Sequence, residues 1–170
     1  MLELGRAGSA GTEKGVLPVL RDGLVVATLR ASNWKEAATA VVGDREWVLA
    51  KSRGTLTGRW ASEPEDAARL RARQTSFWKG TWEADLEGTT LRSEVVSRWK
   101  GGHRYLDGDR VVAETGTTGG WSPRPTLTAD GSLPLDHQVF LLWLGLVMSR
   151  RDQAATTAAI AGGAAAAGGS

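Results

Sequence analysis

Ten consecutive residues near the C-terminus, Val139, Phe140, Leu141, Leu142, Trp143, Leu144, Gly145, Leu146, Val147 and Met148, form an unbroken apolar run. As a helix they make almost three turns with no polar face, and such a helix must be enclosed by protein or by lipid. Spanning a bilayer core takes roughly 20 apolar residues, whereas runs of about 10 to 14 belong to buried core helices. The spacing therefore predicts a helix over about 136–150, wrapped by the rest of the chain. Asp136 is its expected N-cap, with His137 and Gln138 in the first turn. Arg150 and Arg151 are expected to face the C-terminal dipole. Gly145 is expected to permit one close approach to whatever surrounds the helix.

Strand-and-turn signals fill the sequence before that run. The dipeptides Asp22-Gly23, Gly43-Asp44, Glu87-Gly88, Gly101-Gly102, Asp107-Gly108, Gly119-Gly120 and Asp130-Gly131 recur at short intervals, and several supply the positive φ that two-residue hairpins require. Strands are expected at Leu24 to Leu29, Ala37 to Val42, Trp47 to Lys51, Thr55 to Ala61 and Leu70 to Trp78. Further strands are expected at Thr81 to Leu86, Thr90 to Arg98, His103 to Leu106, Arg110 to Thr115 and Trp121 to Thr128. Leu56, Gly58 and Trp60 alternate with Thr55, Thr57 and Arg59, and Trp82, Ala84 and Leu86 with Thr81, Glu83 and Asp85, as half-buried strands do. Consecutive hairpins with one apolar face curl up to avoid open edges. The expected fold is mainly β, a closed or nearly closed antiparallel barrel of about 10–12 strands. An interior that wide needs filling, and the apolar helix is the natural plug. Burying its nine large side chains contributes on the order of 15–25 kcal/mol gross.

The expected folded unit runs over 16–151. Residues 1–15, rich in Gly, Ala, Ser and Thr and lacking an apolar signal segment, read as a flexible arm. Residues 152–170, mostly Ala and Gly with the pairs Gly162-Gly163 and Gly168-Gly169, read as a disordered tail. The 170 residues include no cysteine, which excludes disulfides, thiolate metal sites and a thiol nucleophile and suits a reducing cytoplasm. With a net charge of +2, composition gives no reason to expect nucleic acid as a partner.

The hairpin series from about Gly23 to Leu133, followed by Pro134 to Arg151 (PLDHQVFLLWLGLVMSRR), resembles the tubby C-terminal-like superfamily, which includes the phospholipid scramblases and the plant LURP-one-related proteins. The resemblance rests on architecture and on the terminal helix. It implies a barrel of about twelve strands around a hydrophobic helix. It further implies a lipid-linked, non-enzymatic binding module that contacts anionic headgroups through basic residues on the barrel.

Basic residues are dense between positions 69 and 104. Brought onto one wall, Arg71, Arg73, Arg98, Lys100 and Arg104 are the candidates for binding a phosphate or an anionic lipid headgroup; alternating Arg on a solvated strand face is the ordinary alternative. The expected partner is an anionic phospholipid or membrane surface, at the inner, cytoplasmic face. The eight tryptophans, Trp34, Trp47, Trp60, Trp78, Trp82, Trp99, Trp121 and Trp143, are read as barrel packing, except Trp34 and Trp121, which lie beside turns. Asp136 and His137 point in different directions on a helix, so neither catalysis nor a metal or cofactor site is expected there. Two other readings compete: a lipocalin-like carrier with an open apolar cavity, suggested by Gly58-Arg59-Trp60 and Gly80-Thr81-Trp82, and a membrane anchor at Leu133 to Ser149, which would force Pro134, Asp136, His137 and Gln138 into hydrocarbon.

Overall fold

The computed structural model describes residues 1–97, 102–120 and 123–166. These residues form twelve strands: β1 (Leu2–Leu4), β2 (Leu17–Arg21), β3 (Leu24–Ala31), β4 (Ala38–Val42), β5 (Arg45–Ser52), β6 (Thr55–Trp60), β7 (Leu70–Ser76), β8 (Thr81–Leu86), β9 (Thr89–Ser97), β10 (Gly102–Asp107), β11 (Arg110–Thr118) and β12 (Arg124–Ala129). One helix follows, α1 (Leu135–Ala166). Every strand pairs antiparallel with its sequence neighbours, and β1 pairs with both β2 and β12, so the sheet closes into a barrel without an edge.

The Asp22-Gly23 and Glu87-Gly88 turns have both central residues at positive φ, the backbone of a tight hairpin that follows the twist of the strands it joins. Inside the barrel the buried wall mixes large residues such as Leu29, Trp47, Leu56, Leu91 and Tyr105 with six alanines, Ala27, Ala38, Ala40, Ala72, Ala84 and Ala113. A helix with its side chains is about 10–12 Å across, and the alanines leave part of the room it needs. Val139, Phe140, Leu141, Leu142, Trp143, Leu144, Val147 and Met148 are buried there, and Leu146 packs partly buried against the same core. The apolar run is thus enclosed on all faces by the chain's own strands. Among the described residues no helix is long and apolar enough to cross a membrane.

Four local expectations need correction. The first fifteen residues are not a loose arm: Leu2 and Leu4 are buried wall residues of β1, and Gly8 N–H and Thr12 Oγ1 bond the Val16 carbonyl at 2.8 and 3.0 Å. The close approach of the backbone falls at Gly5, where a Cβ would lie 2.6 Å from Pro18 Cγ. At Gly145 a Cβ would make ordinary contact with Thr115 at 3.4 Å. The helix does not stop near 150 but continues to Ala166, with residues 152–159 exposed, so the segment read as a disordered tail is helical up to that point. Asp136 is not the cap: Gln138 N–H bonds the Pro134 carbonyl at 3.1 Å, which places Asp136 within the first turn, where its charge still suits the dipole.

Candidate functional site

Because the strands alternate in direction, successive connections fall at opposite ends of the barrel. The helix enters at the end carrying the β2–β3, β4–β5, β6–β7, β8–β9 and β10–β11 links and leaves at the other. Side chains at the entry end hold the first turn. His137 Nε2 lies 3.0 Å from Glu87 Oε2, Arg45 lies 3.6 Å from Asp136, and Arg21 donates to Gln138 Oε1 at 3.4 Å. Glu87 also pairs with Arg69 at 3.0 Å, and Arg69 pairs with Glu63 at 2.6 Å and stacks over Trp60 at 3.5 Å. The bond from His137, reinforced by Arg69, holds the Glu87 carboxyl below the usual carboxylate range. This is the setting of the Asp136-His137 pair: it ties the helix to the β8–β9 turn.

At the exit end Arg151 binds the Glu36 carboxylate through two nitrogens, one of them at 2.7 Å. Lys51 reaches the same carboxylate at 3.0 Å. Arg151, with help from Lys51, holds Glu36 down to about 2 against the opposing effect of burial. Arg150 donates to the Ser32 carbonyl at 2.7 Å. The two arginines therefore latch the emerging helix to the β3–β4 link and do not serve a C-terminal dipole, since the helix runs on.

The ends differ sharply in charge. Among the described residues, the strand-joining segments at the exit end contain five basic and two acidic residues, whereas those at the entry end, including the segment leading into α1, contain one basic and eight acidic residues. At the exit end Lys35, Arg53 and Lys79 are exposed and make no ion pair among the described residues.

The candidate residues on the wall sit differently. Arg73 pairs with Glu83 at 2.8 Å and Arg104 with Glu114 at 3.3 Å. Arg71 is exposed and stands opposite Asp85 on β8. Arg98 and Lys100 lie outside the described residues, in the segment joining β9 to β10. Cross-strand carboxylates thus pair with Arg73 and Arg104, while Arg71 faces Asp85 across the ladder and Lys35, Arg53 and Lys79 at the exit end face none among the described residues.

Tryptophan sorts along the same axis. Trp47, Trp82 and Trp143 are buried and Trp60 is half-buried. Trp34 is 95% exposed as its position beside a turn suggested, and so, against expectation, is Trp78 at 88%, with its neighbour Phe77 at 79%. Strand β7 ends at Ser76, which leaves both rings on the β7–β8 link. Trp99, read as barrel packing, and Trp121 lie outside the described residues. The overlooked signal is a repeat: Ser32-Asn33-Trp34-Lys35, Ser76-Phe77-Trp78-Lys79 and Ser97-Arg98-Trp99-Lys100 share the pattern Ser-x-Trp-Lys. In the first two, the serine Oγ accepts the lysine N–H at 3.1 and 3.2 Å.

Beside the β7–β8 link a cleft of about 480 Å³ opens between Trp78, Trp82 and His103 of the barrel and Arg151, Asp152 and Thr156 of the helix. Burial lowers the His103 pKa and keeps the ring neutral. Its Nδ1 has no hydrogen-bond partner among the described residues. Those residues contain no cluster of three or more His, Cys, Asp or Glu able to hold a metal ion. No family model, curated protein or solved structure matches this chain.

Proposed function

We propose that this chain is a non-enzymatic binding module of tubby-like architecture that takes anionic lipid headgroups, or a ligand with the same phosphate chemistry, at the exit end of its barrel. It acts peripherally, at the inner, cytoplasmic face of a membrane. The observation that carries this reading is the charge axis: among the described residues, five basic to two acidic in the links at one end, one to eight at the other. A basic residue near an anionic membrane surface is worth about 1 kcal/mol, within a screening length of about 8 Å at physiological salt. The acidic end is repelled by the same surface, so the charge axis orients the barrel as well as attracting it.

Vesicle co-sedimentation tests the proposal. Vesicles containing phosphatidylserine should pellet the protein at low salt and pure phosphatidylcholine should not. Replacing Lys35, Lys79 and Lys100 together by Gln should weaken binding about 100-fold, from roughly 1 kcal/mol each. The combined Arg73→Gln and Arg104→Gln variant should change it less than about threefold, because both cations are paired across strands and paired surface cations contribute little. The reverse ranking would move the site to the wall. Failure to bind either phosphatidylserine vesicles or inositol hexakisphosphate at low salt would overturn the proposal.

A further inference from the structure

We infer that the exit end does not merely approach an anionic bilayer but enters its interface end-on, with Trp34, Phe77 and Trp78 as the inserting side chains. This rests on the anion-binding reading of the same end and commits it to a bilayer over a soluble phosphorylated ligand. In water, large aromatic side chains this exposed on separate links at one end forgo burial that each would otherwise gain. They are also held in place. Phe77 and Trp78 meet edge to face at 5.9 Å, and the Ser76 and Ser32 hydroxyls fix the turns on which the rings stand. Trp34 and Trp78 are each followed directly by an exposed lysine, Lys35 and Lys79. An amphipathic ring at headgroup depth beside a long cationic side chain is how proteins anchor at a membrane–water interface. The two described copies of the repeat stand on the β3–β4 and β7–β8 links, both at this end. A planar, anionic, partly apolar target satisfies rings and cations together; a soluble polyanion satisfies only the cations.

The absence of cysteine makes the test site-specific. A Trp34→Cys variant carrying an environment-sensitive fluorophore keeps Phe77 and Trp78, and an Asp44→Cys variant places the same probe at the entry end. With phosphatidylserine vesicles the probe at position 34 should shift to the blue and become accessible to quenchers in the acyl region, while that at position 44 should do neither. Replacing Phe77 and Trp78 by Ser should weaken vesicle binding by at least about tenfold. It should leave affinity for inositol hexakisphosphate within about twofold. Salt-sensitive vesicle binding without a shift at position 34 would overturn insertion and leave the anion-binding reading standing. No binding to vesicles or polyphosphate would overturn both. Head-to-tail self-association at low salt, basic end on acidic end, with no shift on vesicles, would replace the bilayer by a second copy.

Discussion

Alanine substitution at Leu141, Leu142, Trp143 and Leu144 asks whether the helix is a plug or a one-sided amphipathic element. At 100° per residue these four positions cover most of the helix circumference, and all four are at most 1% exposed. A helix lying on the outside of a sheet has at least one of any four successive positions facing water, where truncation costs about 0.5 kcal/mol or less. Enclosure removes that exception. Each leucine should cost about 2–5 kcal/mol and Trp143 about 3–5 kcal/mol, because every site leaves a cavity in a wall that relaxes only in part. With a urea m-value of about 1–3 kcal/mol/M, a loss of 3 kcal/mol moves the unfolding midpoint down by roughly 1–3 M. Equilibrium urea unfolding, followed by far-ultraviolet circular dichroism, measures this directly. A profile in which one or two of the four changes are nearly neutral, repeating with helical period, would refute enclosure.

Other expectations follow from local geometry and can be read in the same assay. Gly5→Ala should destabilise by more than about 1 kcal/mol, since its Cβ would meet Pro18 at 2.6 Å where β1 hands over to β2. Gly145→Ala should be neutral or stabilising by up to about 1 kcal/mol, because its Cβ makes only ordinary contact with Thr115 and alanine is the better helix former. Glu36 has a folded pKa lowered from 4.5 to about 2 by Arg151 and Lys51, so its contribution is present above about pH 4.5 and is lost as pH falls toward 2. After allowance for solvent screening that contribution is about 1–2 kcal/mol; Glu36→Gln should lower stability by this amount at pH 7 and flatten its fall between pH 4.5 and 2.

The hairpins and the buried helix were legible because their signals are local: alternation over five to nine residues, Asp-Gly turns, and a run with no polar face. β2 was missed, its five residues interrupted by Pro18, which argues against a strand. Leu2-Glu3-Leu4 is too short to display alternation and is followed by a stretch of Gly, Ala, Ser and Thr. Only closure of the barrel makes it a strand, since β2 and β12 both need a partner. The helical continuation past Arg151 overrides the low propensity of Gly162 and Gly163 because it propagates from a helix already fixed inside the barrel. The cations of the wall looked like a site because sequence spacing does not reveal the opposite strand: Glu83 and Glu114 neutralise Arg73 and Arg104 only once the register is known. The Ser-x-Trp-Lys repeat was visible in the chain, but its meaning needed the topology that puts its two described copies at one end.

Hydrogen exchange on the bound protein tests the orientation on which the functional account stands. With phosphatidylserine vesicles present, slowed exchange should be confined to the exit-end links, residues 5–16, 32–37 and 77–80, and should disappear at high salt. The Asp22-Gly23 and Glu87-Gly88 turns of the entry end should exchange as they do in free protein. Protection centred on the outer wall around Arg71 and Arg73, or on the entry-end turns, would contradict it.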